Sequence, residues 1–163
     1  MSTQTLDPAL QDFLQHRYIA TIATQNADNS IHLTAVWYLF EEGSLYIATS
    51  SRTRKSKNVM ARPRASLMID SRSPGKERGV TAIGTAELIS GTQSQELNLR
   101  IHHRYLSPAA ISDPQIGPVF AAFDDVTIRL RPASWISWDM ATLDAQAFGG
   151  RLGRTPGYML PLD

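Results

Sequence analysis

The chain has no cysteine. Disulfides, zinc–thiolate centres, iron–sulfur clusters and thiol nucleophiles are therefore excluded. It also lacks any apolar run near the roughly 20 residues that a membrane-spanning helix needs. Met1-Ser2-Thr3-Gln4 carries neither the basic nor the apolar region of a signal peptide. The expectation is a soluble, cytoplasmic protein with no membrane partner. Glycine-rich phosphate loops are missing as well: there is no Gly-x-x-x-x-Gly-Lys, and no glycine-rich turn follows a strand in a βαβ pattern. No serine occupies a Gly-x-Ser-x-Gly elbow, and the four histidines are scattered, so a nucleophilic triad finds no support. His102 and His103 are neighbours on a helical pattern, where their side chains diverge by about 100°. They read as two solvated histidines rather than a metal pair, and no metal site is expected. Charge of one sign is not in excess either. Sixteen Lys and Arg against fifteen Asp and Glu leave a net charge of +1, too little for a general attraction to nucleic acid.

What is present is an ordinary globular composition, 42% hydrophobic and 19% charged over 163 residues, enough for one domain with a real core. Asp7, Pro8 and the stripe Leu10, Phe13, Leu14 predict a helix from about Pro8 to Gln15. β-Branched runs predict strands over 18–24, 31–40, 45–49, 65–70, 80–89 and 126–131. Glu41-Glu42-Gly43 should turn the second strand into the third as a hairpin. Gly84, inside the fifth strand, signals a bulge or a close backbone approach. Thr92 and Gln95 have capping-box spacing ahead of Leu97, Ile101 and Tyr105, so a longer helix follows. Pro108 and Pro114 bracket an expected loop. Pro132 should interrupt the last strand, which resumes at Trp135–Trp138. Beyond Ala141 the pattern fades into a glycine-rich tail. Mostly antiparallel strands with a few short helices imply a mainly β protein, a small closed or nearly closed barrel.

One segment stands apart. Ala48-Thr49-Ser50-Ser51-Arg52-Thr53-Arg54-Lys55-Ser56-Lys57-Asn58 runs from a strand through hydroxyl side chains into four cations, and then into a helix. Six basic residues and no acidic one lie between Arg52 and Arg64. A solvated basic loop accounts for the charge run. A bound phosphate accounts for it too, because hydroxyls, helix-start N–H groups and Arg or Lys heads all donate to its oxygens. Single-stranded nucleic acid is a weaker reading, because Tyr18, Trp37, Tyr38, Phe40 and Tyr46 sit among apolar strand neighbours and read as core.

The same residues resemble the FMN-binding split-barrel family, the group that includes pyridoxamine 5′-phosphate oxidase. The likeness rests on Tyr46-Ile47-Ala48-Thr49, Arg54-Lys55, Asn58-Val59 and Arg62-Pro63-Arg64-Ala65-Ser66-Leu67. Val80-x-x-x-Gly84-x-Ala86 and His103-Arg104-Tyr105-Leu106 extend it. The resemblance implies a split β-barrel over residues 1–140 and flavin redox chemistry on a small substrate. It implies Arg54 and Lys55 as the cations on the FMN phosphate, with Thr49 and Ser50 as hydrogen-bonding neighbours. The backbone of Thr34, Ala35, Val36 and Trp37 would run along the flavin ring. It further implies a homodimer with flavin sites at the interface, to which Trp138 and the tail 141–163 would contribute. Leu33 and Tyr38 stand where the oxidase itself has Arg and Lys, which counts against pyridoxamine phosphate as substrate. The alternatives are a deazaflavin-dependent reductase on the same fold, or a non-enzymatic flavin- or haem-binding protein, in whose haem version His16 or His32 would be the axial ligand. No catalytic side chain is assigned.

Overall fold

The computed structural model describes residues 6–73 and 77–160. Helix α1 (Pro8–Gln15) begins where the sequence places it, with the Asp7 carboxylate accepting from the Ala9 N–H and Pro8 in the first turn. Seven strands follow: β1 (Ala20–Gln25), β2 (Ile31–Val36), β3 (Leu39–Glu41), β4 (Ser44–Thr49), β5 (Arg64–Ser71), β6 (Arg78–Ile89) and β7 (Val126–Asp139). They form one antiparallel sheet in the order β2-β1-β5-β6-β7-β4-β3.

The outermost strands, β2 and β3, are consecutive in the chain and separated only by Trp37 and Tyr38. Two residues cannot cross a flat seven-stranded sheet, whose neighbours lie about 4.8 Å apart. The sheet must therefore roll until its edges approach, and the covalent chain, rather than a hydrogen-bond ladder, closes it. This is a split barrel. The strand expected over 31–40 is thus two strands on opposite edges, and the expected hairpin is only β3 with β4. Its two-residue turn, Glu42-Gly43, has both residues at positive φ (48° and 72°), as a type I′ turn requires.

Inward residues alternate along the strands, and Ile22, Ile47, Leu67, Ile69, Val80, Ile128 and Leu130 fill the interior with Phe13 and Leu14 of α1. Outside the barrel, α3 (Thr92–Tyr105) lays Leu97 and Ile101 against Tyr46 and Ile89. No helix among the described residues is long and apolar enough to cross a membrane.

Four expectations are corrected. Gly91, not Thr92, caps α3, without a side-chain hydrogen bond, because Thr92 is already helical. The loop expected after Pro108 holds two helices, α4 (Pro108–Ser112) and α5 (Gly117–Phe123). Ser107 caps α4, so Pro108 acts as a helix starter rather than a breaker. The tail is also helical, as α6 (Met140–Phe148) and α7 (Arg151–Arg154). Its organiser is a single buried carboxylate: Asp144 accepts from the N–H groups of Leu152 and Gly153, each at 2.9 Å. Pro132 does not break β7. Ile83 pairs with Ser134 and Gly84 with Pro132, which leaves Ala133 as the extra residue of a bulge.

Gly84 meets both expectations made of it, since it sits at that bulge and in close backbone contact. A Cβ there would lie 2.0 Å from the Arg131 carbonyl oxygen. Gly84→Ala should therefore force the two longest strands apart and cost about 1–3 kcal/mol or more, the usual range for overpacking. Urea denaturation of the variant measures this, and a midpoint equal to wild type would contradict the contact.

Candidate functional site

The basic segment becomes a tight turn followed by helix α2 (Arg54–Ala61). The Ser50 carbonyl accepts from the Thr53 N–H and from the hydroxyls of Thr53 (2.9 Å) and Ser56 (2.8 Å). Thr53 caps the helix by accepting from the Ser56 N–H. Ser51 donates through its N–H and its hydroxyl to the two oxygens of Asp125, both at 2.6 Å. Those donations hold the Asp125 carboxyl below the usual carboxylate range. Asn58 pins the helix to the barrel by donating to Thr24 Oγ1 and Asn26 Oδ1. Much of the hydroxyl content of the segment is therefore spent on building the turn.

Beside this turn lies a cavity of about 340 Å³, at the point where β2 leaves the sheet. Ala35, Val36 and Trp37 form one wall, and Ala48 and Thr49 of β4 another. Phe120 and Phe123 of α5 cover it. The Trp37 ring is stacked between Tyr105 (centroids 5.0 Å apart, planes 2° apart) and Phe120 (5.7 Å, 22°). Two charged side chains reach the cavity, Lys55 and Asp124. Burial holds the pKa of the half-buried Lys55 ammonium below its ordinary value, while the Asp124 carboxylate acts in the opposite sense.

An adjoining cavity of about 290 Å³ shares Phe123 and is lined by Ser50, Arg52, Thr53 and Asp125. A larger cavity, about 550 Å³, lies between α1 and α6 against Trp138. None of the residues expected to bind an anion reaches it, so its size does not make it the better candidate.

Of the residues singled out in the sequence, Ala35, Val36, Trp37, Thr49 and Lys55 come together in one cavity. Ser50 lies in the adjoining one. Thr34 does not line either cavity, and Arg54 is exposed on α2. Adjacent helical residues point about 100° apart, so Arg54 and Lys55 serve different surfaces. His16 is exposed beside Asp12, and neither it nor His32 lines the cavity. Leu33 is exposed, whereas Tyr38 is fully buried with its hydroxyl 2.9 Å from the His16 carbonyl.

The reading of His102 as solvated is wrong. It is buried, with Nε2 2.8 Å from Asp124 Oδ2, and its side chain and that of Asp124 are 6% and 12% exposed. Ser94, Asn98 and His102 share the buried face of α3 with Leu97 and Ile101, a 3–4 residue spacing visible in the sequence once polar residues are admitted to it. Asn98 Nδ2 donates to the Asp124 and Val126 carbonyls, and Thr127 donates to Asn98 Oδ1. Asp124 and Phe120 have no comparable sequence signal, because the α4–α5 segment that carries them read as loop.

A sheet rolled into a split barrel, with a half-apolar cavity and one cation at the split, defines a protein of the pyridoxamine oxidase-like class. The family model for pyridoxamine 5′-phosphate oxidase matches residues 6–139, and the chain belongs to that family. A conserved hypothetical protein of Mycobacterium tuberculosis is similar in structure, with a TM-score of 0.70 and 25% identity over 85% of this chain and 88% of that one. An F420 reductase gives a TM-score of 0.63 at 19% identity, over 80% of this chain and 98% of that one. The heme storage protein HutZ of Vibrio cholerae gives 0.61 at 15%, over 83% and 95%. The last two likenesses are likenesses of fold alone. No curated protein matches the chain in sequence.

The burial of Lys55 is directly measurable. In the free protein its ammonium should titrate below 10.5, followed by NMR of labelled lysine and assigned with Lys55→Arg. Between its folded value and 10.5 the unfolded chain binds more protons, so this residue makes stability rise with pH through that window. Titration at 10.5 or above would contradict this, since the ammonium would then lie in solvent or be held mainly by the Asp124 carboxylate.

Proposed function

We propose that this protein is a flavin-dependent oxidoreductase that holds FMN in the cavity between β2, β4, α2 and α5. The observation that carries the reading is one cavity that combines the half-buried Lys55 cation with a flat aromatic and apolar wall at the end of an edge strand. These residues fit the group chemically. A phosphate requires a cation, and a planar heteroaromatic ring requires an apolar surface with backbone groups along its polar rim. When bound, a flavin supplies hydride transfer to or from a small substrate through its N5.

Lys55 holds the phosphate. The backbone of Ala35, Val36 and Trp37 presents N–H and C=O groups to the ring, since β2 is an edge strand with half of its polar groups outside the ladder. Phe120 and Phe123 exclude water. Thr49 contributes from the cavity wall and Ser50 from the adjoining cavity, while Thr34 and Arg54 support the site from the neighbouring faces of β2 and α2.

A deazaflavin is the second reading, and the adjoining cavity favours it. That second cavity shares Phe123 with the first and is lined by Arg52, Thr53 and Asp125, so its cation would suit the longer anionic tail of such a cofactor.

The test is uptake of cofactor by the purified protein, followed by absorbance and fluorescence. FMN should bind, and Lys55→Ala should weaken it about 10- to 100-fold, the equivalent of one charge-assisted contact of about 1.5–3 kcal/mol. Riboflavin, without the phosphate, should bind both proteins alike. Failure to take up either FMN or a deazaflavin would remove the reading.

We also propose a homodimer, with Trp138 and the tail 141–163 meeting the partner. Ile31 and Leu33 on β2, Ile136 and Trp138 on β7, and Phe148 on α6 are large apolar side chains left exposed by the single chain, which supports this assembly. Sedimentation equilibrium should return twice the 18.0 kDa chain mass. A monomer at micromolar concentration would refute it.

A further inference from the structure

Asp124 is a carboxylate facing into a cavity whose other charge is a cation. It is not there by accident of a loose loop, because every other polar atom it has is engaged. Its N–H donates to the Phe120 carbonyl at 3.0 Å, its carbonyl accepts from Asn98 Nδ2 at 2.8 Å, and its Oδ2 pairs with His102 Nε2 at 2.8 Å. His102 is itself held on the buried face of α3 and leans against Phe120 (ring centroids 5.3 Å apart). Only Oδ1 has no hydrogen-bond partner among the described residues. Nor does any ion pair join Lys55 to Asp124, although each acts on the same cavity. The cavity is thus dipolar, with a cation on one side and a fixed hydrogen-bond acceptor on the other.

A site built for an inorganic anion alone would not hold a carboxylate beside it, since like charges repel in a partly dry cavity. A site built for an apolar molecule would not bury either group. The arrangement suits a ligand that carries an anion and, on the same short chain, a hydrogen-bond donor. An alcohol fits that role, because O–H donated to a carboxylate is among the stronger uncharged-donor contacts.

We propose that Asp124, oriented by His102, is a ligand-binding residue that accepts from a hydroxyl of a polyol phosphate whose phosphate lies on Lys55. This deepens the flavin reading and rests on it, since FMN and the deazaflavins both carry a ribityl phosphate. It assigns the ribityl chain to the α5 side of the cavity. It also gives His102 a positioning role, exerted through Asp124.

The experiment compares dissociation constants for FMN, riboflavin and lumiflavin, which share the ring and successively lose the phosphate and the polyol. Asp124→Ala should weaken FMN and riboflavin by the same factor, about 10- to 100-fold, and leave lumiflavin unchanged. Lys55→Ala should weaken FMN alone. Asp124→Asn, which keeps the size and the contact to His102, guards against loss of fold and should show the same pattern at about 3- to 10-fold. His102→Gln should weaken FMN and riboflavin together, through the loss of orientation. If wild type takes up only a deazaflavin, the phosphorylated and dephosphorylated deazaflavins replace FMN and riboflavin.

Three results would overturn the proposal while leaving the flavin reading intact. Unchanged or tighter FMN binding in both Asp124 variants would mean that the carboxylate only repels the phosphate. A parallel loss for lumiflavin would move the contact to the ring. A loss for FMN without one for riboflavin would place Asp124 with the phosphate group. If wild type binds none of these ligands, the flavin reading fails first, and the proposal with it.

Discussion

The split barrel depends on how the chain behaves at Trp37 and Tyr38, where it leaves one edge of the sheet and reappears at the other. Backbone groups at such a crossing lose their ladder partners, and a buried N–H without a partner is costly. Tyr105 resolves this. Its hydroxyl accepts from the Tyr38 N–H at 3.3 Å and donates to the Tyr18 carbonyl at 2.8 Å, and its ring lies flat on Trp37. Arg104 completes the seam by donating to the carbonyls of Gln15 and His16, with its guanidinium over the Tyr38 ring. One dipeptide on α3 therefore ties together the end of α1, the start of β1 and the break between β2 and β3.

The cavity is a by-product of that seam. Because β2 stops at Val36, its end is an open edge, and α5 rather than another strand covers it. Trp37 belongs to both features, stacked on the closing tyrosine and on the covering phenylalanine. Stability and the candidate site thus share residues, and a wall of the cavity is the same wall that holds the barrel shut.

Charge in the basic segment is distributed more finely than its sequence shows. Helix geometry sends Lys55 inward and Arg54 outward, and the turn sends Arg52 to a second cavity. The two adjacent acids before β7 divide in the same way. Asp125 fastens the turn through Ser51, and Asp124 faces the cavity on the support of His102. A cluster that looks uniformly cationic along the chain is, in space, a cation opposed by a carboxylate.

Much of the architecture was legible because it is local. The capping of α1 by Asp7, the alternation in β1 and β5, and Gly84 at its bulge each follow from spacing over a few residues. Of the Arg54-Lys55 motif only Lys55 reaches the cavity, and Ala35–Trp37 form one of its walls. The split of 31–40 into two strands was not legible, because an uninterrupted β-branched and aromatic run carries no mark of a change of edge. Helices α4 and α5 were hidden because prolines that start helices look like prolines that end them. The sequence by itself determined most of the strands, the basic turn before α2 and the family, all of which rest on short-range stereochemistry and residue order. Only the tertiary structure decided which cation enters the cavity and that Asp124 and His102 meet there, because those choices are made by helix phase and by contacts 22 residues apart in the chain.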